Sequence, residues 1–242
     1  MSVSLVRSEL LLLCFVFSAC SPTDPHPVLG SVFQITGTVT ARRPAKQSPP
    51  SSLSAGDKFF PGDEIQFQTE SSGVLCLTPG IYLRCLGQTQ VRIENLSVEK
   101  DGDETGNAMH LRRASLDLLE GGLHAFLPTA ATAHAELTIQ CRAETLIANA
   151  GSLFSVKLDG ESMRVVCLRG EVQWTHAASV TTAIPAGFYA ERKLNDQAEA
   201  VPRPASEIAT AQLEILEVLD SARMIGELED AARNAPKPWR RP

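Results

Sequence analysis

The sequence predicts an all-β domain, a sandwich, jelly roll or short β-solenoid, followed by one C-terminal α-helix. Three observations predict it. Between residues 31 and 193, apolar and polar residues alternate in short runs, the period-two pattern of half-buried strands. Turn pairs such as Pro79-Gly80 and Asp159-Gly160 separate those runs. After Pro204 the texture changes to a run of helix formers that ends before Pro236 and Pro238.

The elements follow in order. Ser31 to Ala41 is rich in β-branched residues and reads as one strand; 42–55 is rich in Pro and Ser and reads as a loop. Ile65 to Thr69 alternates. Gly73 to Leu77 and Ile81 to Leu86 flank Pro79-Gly80 as a hairpin, and Val91, Ile93 and Leu96 continue the pattern. An acidic loop spans 99–106. Leu116 to Leu119 ends at Glu120-Gly121-Gly122. Leu137, Ile139 and Cys141, then Phe154, Val156 and Leu158, then 163–168, then Val172 and Trp174 supply further strands. The helix is predicted over 205–235 with Ser206 as a cap. Ile208, Ala211, Ile215, Leu219 and Ala222 form its apolar stripe, Leu216 and Ile225 widen it, and Glu214, Glu217 and Glu227 lie opposite. Such a helix packs on its own domain or meets a partner; the stripe lacks a sustained heptad. The domain plan is then 1–19, 20–30, 31–193, a linker 194–204, the helix 205–235 and a basic tail 236–242.

The first twenty residues carry a different signal. Arg7 precedes an almost unbroken apolar run from Leu10 to Ala19, long enough for a secretion signal and too short to span a bilayer as a helix. Ser18 and Ala19 then precede Cys20, which resembles the lipobox of bacterial lipoproteins, with Phe17 at the aliphatic position. The resemblance implies that 1–19 is a signal peptide and that Cys20 carries the lipid, because only a thiol forms the thioether to diacylglycerol. Residues 21–27 are polar and Pro-rich, as a tether should be. Beyond residue 20 no apolar run approaches membrane-span length. The expected setting is the cell envelope, on the periplasmic or surface side, with the membrane met through the lipid. The tail residues Lys237, Trp239, Arg240 and Arg241 could touch an anionic membrane surface or simply fray.

A net charge of −6 gives no general attraction to phosphate backbones, so nucleic acid is not an expected partner. Hydrophobic residues at 43% and charged residues at 21% are ordinary for a folded domain.

The order of motifs over 35–192 resembles the FecR domain. Gly56-Asp57 and Gly62-Asp63 resemble the family's paired Gly-Asp units before a strand. The hairpin 74–85, the stretch 118–127, then 150–160, 163–174 and 184–190 resemble its later run of Leu-x-x-Gly, Gly-Thr-x-Phe-x-Val, Val-x-x-Gly-x-Val and a closing Gly turn, with Gly151-Ser152 in place of Gly-Thr. The best-known relatives are membrane regulators that pass a siderophore-uptake signal to a sigma factor. They have a cytoplasmic helical segment and a transmembrane helix ahead of the domain, and this sequence shows neither. The resemblance therefore implies a non-catalytic β module that binds or scaffolds an envelope protein.

Four cysteines follow Cys20. An even number in an exported chain suggests disulfides, and Cys76–Cys85 with Cys141–Cys167 is the favoured pairing, with buried free thiols as the alternative. Cys-x-x-Cys and His-x-x-x-His spacings are absent, so no metal or other cofactor is expected. His26, His110, His124, His134 and His176 are scattered, and no nucleophile-base motif appears, so no enzyme is expected. Asp57, Asp63 and Glu64 read as turn residues, and Asp101 with Asp103 as a solvated loop. The alternative function is a glycan- or peptidoglycan-binding lipoprotein, for which Tyr82, Trp174 and Tyr189 are the candidate stacking residues.

Overall fold

A computed structural model describes residues 25–43, 49–100, 109–129, 134–176, 180–194 and 200–234. Cys20, the stretch before it, the acidic loop with Asp101 and Asp103, and the basic tail with Trp239 lie outside the described residues. The described chain is mainly β-structure with one C-terminal helix, as the sequence predicts.

The first strands are β1 (His26–Pro27), β2 (Gly30–Thr36), β3 (Val39–Arg42), β4 (Ser51–Ser52), β5 (Lys58–Phe59) and β6 (Glu64–Phe67). Then come β7 (Ser72–Thr78), β8 (Ile81–Cys85), β9 (Gln90–Lys100) and β10 (Met109–Phe126). After these follow β11 (His134–Cys141), β12 (Glu144–Asn149), β13 (Leu153–Asp159), β14 (Ser162–Arg169) and β15 (Glu171–Thr175). Last are β16 (Thr181–Pro185), β17 (Phe188–Lys193), β18 (Arg203–Pro204), a 3₁₀ turn at Ala205–Glu207, and α1 (Ala209–Asn234).

Two sheets enclose one core. The first runs β4–β3–β6–β9–β10–β11–β12–β15–β16, with β1 also on β9. The second runs β5–β2–β7–β8–β10–β13–β14–β17–β18. Every pairing is antiparallel except β10–β11. β10 belongs to both sheets: Leu111 to Glu120 pair with β9, and Gly121 to Phe126 pair with β13. The transfer happens at Gly121. Its φ is +82°, and a Cβ there would sit 2.6 Å from the Gln88 carbonyl oxygen, so only glycine turns this corner cheaply. The Gly121-Gly122 pair that reads as a strand end is thus a corner inside an 18-residue strand.

A similar correction applies to 31–41, predicted as one strand. Gly37, at φ +80°, splits it into β2 in the second sheet and β3 in the first. Between the sheets, Phe59, Ile65, Phe67, Leu75, Ile93, Leu116, Phe154 and Trp174 are among the fully buried side chains, as alternation requires of the inward-facing positions. The predicted turn role of Asp57 and Asp63 holds. The Asp57 carboxylate accepts from the Ser54 amide at 2.8 Å, and that of Asp63 from the Phe60 amide at 2.9 Å. Asp63 also takes a bidentate contact from Arg43, at 2.6 and 2.9 Å.

Candidate functional site: the strapped face of the second sheet

α1 lies across the outer face of the second sheet. Its contacts name the strands in spatial order. Ile208 and Ala211 pack with Tyr189 of β17 and Val166 of β14. Glu214 reaches Ser155 of β13, Ser221 reaches His124 of β10 and Arg84 of β8, Ile225 packs on Val74 and Cys76 of β7, and Leu228 lines a pocket with Ser31 and Phe33 of β2. From β17 to β2 there are six inter-strand steps, about 29 Å at the usual spacing. From Ala209, the first residue of α1, to Leu228 the helix rises about 29 Å. The helix is therefore long enough to strap the sheet from one side to the other.

The strap has two apolar ends and a polar middle. At one end Val166, Tyr189, Ala205 and Ala211 cluster; at the other Val74, Cys76, Tyr82 and Ile225 do, joined by Phe33, Phe126, Met224 and Leu228. In the middle, Ser155 donates to the Glu214 carboxylate, and Arg164 approaches the same carboxylate at 3.7 Å. Ser221 Oγ donates to the Glu217 carbonyl at 2.7 Å and accepts from Arg84 Nη1 at 3.0 Å. With its proton committed to that carbonyl, Ser221 Oγ accepts from His124 Nδ1, 2.7 Å away. The His124 ring is then neutral with its proton on Nδ1. Burial pushes its pKa down to about 4, and the nearby Arg84 charge adds to the shift.

The predicted stripe is rotated. Ala211, Val218 and Ile225 face the sheet, and so does Glu214, predicted on the solvent side and only 8% exposed. Leu213, Leu216 and Leu219 face out, at 65%, 62% and 49% exposure. Beside the helix, Leu86, Gly122, His124, Lys157, Arg164 and Leu213 line a groove of about 200 Å³. Arg164 Nε is buried there without a partner among the described residues.

A second polar group lies inside the protein and was not anticipated. Glu144, 1% exposed, accepts from Trp174 Nε1 at 2.8 Å and binds His176 Nδ1 at 2.7 Å and Arg192 Nη1 at 3.5 Å. Arg192 Nη2 lies 2.9 Å from His176 Nε2. The guanidinium can only donate, so Nε2 accepts and the proton sits on Nδ1, facing Glu144. The set ties β12 and β15 of the first sheet to β17 of the second. Within this set each polar side chain is hydrogen-bonded or ion-paired to another. Its sequence signal was parity, since Glu144 shares the inward register with Leu146 and Ala148.

The predicted site residues fare unevenly. Tyr82, Trp174 and Tyr189 cannot serve as stacking platforms, being 4%, 2% and 6% exposed. Tyr82 lies under α1, Trp174 points at Glu144, and Tyr189 donates to Glu191. The favoured disulfides are also corrected: Cys76, Cys85, Cys141 and Cys167 are all free and buried. Cys76 faces α1 whereas Cys85 faces the inter-sheet core, on opposite sides of one sheet. Cys141 and Cys167 face the same core from different sheets. Desolvation raises the thiol pKa to about 11 for Cys76 and to about 12 for the other three. Among the described residues no cluster of His, Cys, Asp or Glu could hold a metal, and no helix is long and apolar enough to cross a membrane.

No family model matches the sequence, and no curated protein matches it. Two crystal structures of a protein from Parabacteroides distasonis ATCC 8503, described as a "putative anti-sigma factor", overlap the fold with a TM-score of 0.42 each, at 15% and 14% identity. The overlap covers 58% of this chain and 59% of that one, so the chain spans well under two thirds of the protein it resembles. A likeness of this extent carries no function across.

Proposed function

We propose that this protein is a non-enzymatic FecR-like module, tethered through a lipid on Cys20 to the extracytoplasmic side of the envelope, that binds a partner protein with the outer face of α1. The observation that carries the reading is the triplet Leu213, Leu216 and Leu219. α1 already fills its seat on the second sheet through its inward residues, yet three leucines one turn apart stay in solvent. Single exposed leucines are ordinary, whereas an apolar run on a docked helix is the form that partner helices and grooves recognise.

Support for the FecR-like part is local. The Gly-Asp units at 56–57 and 62–63 and the glycines at 80, 151, 170 and 187 occupy turns with positive φ between strands, the role that the motif order assigns them. The glycan-binding alternative loses its motivation, because the three aromatics it needs are buried.

The test is a photo-crosslinking amino acid placed at Leu216 in cells, with a second at Gln173 on the outer face of the first sheet as control. A discrete adduct from Leu216, lost on Leu213→Asp and absent from Gln173, is the expected result. Equal labelling from both positions, or none from Leu216, would overturn the proposal.

A further inference from the structure

The groove beside α1 contains an unused acceptor. His124 lines it and is itself only 2% exposed. Its Nδ1 carries the ring proton and donates to Ser221 Oγ at 2.7 Å. Nε2 is then a bare lone pair, and among the described residues no donor meets it. The other polar groups of the groove are engaged or face water. Glu214 holds Ser155 and Arg164, and Arg164 also approaches Glu191 at 3.5 Å. Lys157, Thr210 and Glu217 are exposed. Leu86 and Leu213 supply apolar wall, and Gly122 adds no side chain. The space is about 200 Å³. A cavity of about 150 Å³ takes benzene, so this groove has room for one six-membered ring with a substituent.

We propose that this groove seats a tyrosine side chain of the partner protein, its hydroxyl donating to His124 Nε2 and its ring lying between Leu86 and Leu213. The inference deepens the partner-binding reading of α1 and rests on it for the source of the tyrosine. Leu213 joins the two, since it is 65% exposed on the outer helix and also walls the groove. A protein that covers Leu213 therefore lies over His124. Other anchors fit less well. An aliphatic side chain would seal Nε2 away from water without a donor, which costs more than the apolar contact returns. Serine or threonine would leave the leucine walls uncovered. Arginine, a common interface anchor, would meet Lys157 and Arg164. Indole has both a ring and a donor but needs space for a second ring. A phenol supplies one ring and one donor, the pairing that makes tyrosine frequent at interfaces. A second copy of this chain cannot supply it, because its two tyrosines, Tyr82 and Tyr189, are both buried.

The test uses small probes of the tyrosine side chain on the purified, ¹⁵N-labelled protein. p-Cresol carries the ring and the donor, 4-methylanisole the ring without the donor, and 3-methylindole the larger ring. Binding is followed by NMR through the histidine ring nitrogens, the His124 signals being those that vanish in His124→Gln. p-Cresol should bind saturably with a Kd on the order of 1 mM and move the His124 Nε2 resonance upfield, as a lone pair does on accepting a hydrogen bond. 4-Methylanisole should bind about fivefold more weakly and leave that resonance in place. Leu213→Asp, a change at an exposed position, should weaken both probes. No binding of p-cresol, equal affinity for the two probes, an unmoved His124 Nε2, or tighter binding of 3-methylindole would overturn the proposal. The partner supplies a second check. The peptide crosslinked to position 216 should contain a tyrosine whose replacement by phenylalanine weakens binding about fivefold; a peptide without tyrosine would sink the inference and leave the reading of α1 intact. p-Cresol held at His124 with no adduct from position 216 would sink that reading instead, leaving a phenol site without a protein to fill it.

Discussion

Acidification should loosen the α1 strap through His124, and the size of the effect can be worked out. The ring is 2% exposed, sits under α1 and binds Ser221 Oγ at 2.7 Å. Its pKa is pushed from 6.5 to about 4. In the unfolded chain the ring takes a proton as the pH falls through 6.5; in the folded chain it resists until about 4. Stability is therefore fully present above 6.5 and is lost as the pH falls from there through about 4. The complete shift corresponds to about 3 kcal/mol, and the part reached by pH 5 to about 2 kcal/mol. The measurement is urea unfolding from pH 7.5 to 5 for the natural sequence and for His124→Gln, which keeps a neutral donor for Ser221 without a titrating ring. The two proteins differ only at position 124, so contributions common to both cancel in the comparison. The gap between the two stability curves should change by about 2 kcal/mol across that range. Parallel curves would refute the argument, because they would mean that His124 reaches solvent in the folded state.

Other substitutions separate the structural networks from the outer helix face. Glu144→Ala should cost about 3–5 kcal/mol in chemical denaturation, since it leaves the buried Arg192 guanidinium without its carboxylate; a loss under about 1 kcal/mol would show that water replaces the carboxylate. Gly121→Ala should disrupt the corner of β10, because its Cβ would sit 2.6 Å from the Gln88 carbonyl oxygen at a φ of +82°. A drop in melting temperature of several degrees would be expected, and an unchanged melting curve would argue against a fixed corner. Leu213→Asp should leave stability within about 0.5 kcal/mol while abolishing the crosslink from position 216, which distinguishes an interaction surface from a structural one. Ellman's reagent should leave Cys76, Cys85, Cys141 and Cys167 unreacted until the protein unfolds; rapid reaction of any of them in the native state would contradict their burial.

The local signals of this fold were legible in the sequence because they are short-range. Alternation set which residues of β11 and β13 face inward, Pro79-Gly80 set the hairpin, and Asp57 and Asp63 set their turns, since each depends on a few neighbouring residues. Even the buried Glu144 was there to be seen as a charge on an inward register. What sequence could not supply was anything decided by contacts far apart in the chain. Gly121 looks like a strand end until β9 and β13 are seen pairing with the two halves of β10. Cys76 and Cys85 look like partners until one faces α1 and the other the core. The helix shows the division most clearly. Its extent followed from composition, but its rotation did not: Ser155 and Arg164 lie some fifty residues upstream, and they draw Glu214 inward and leave Leu213, Leu216 and Leu219 in solvent. Helix formation is settled within a few turns of chain, whereas the face a helix buries is settled by the surface it lands on, and that surface exists only after the sheet has assembled.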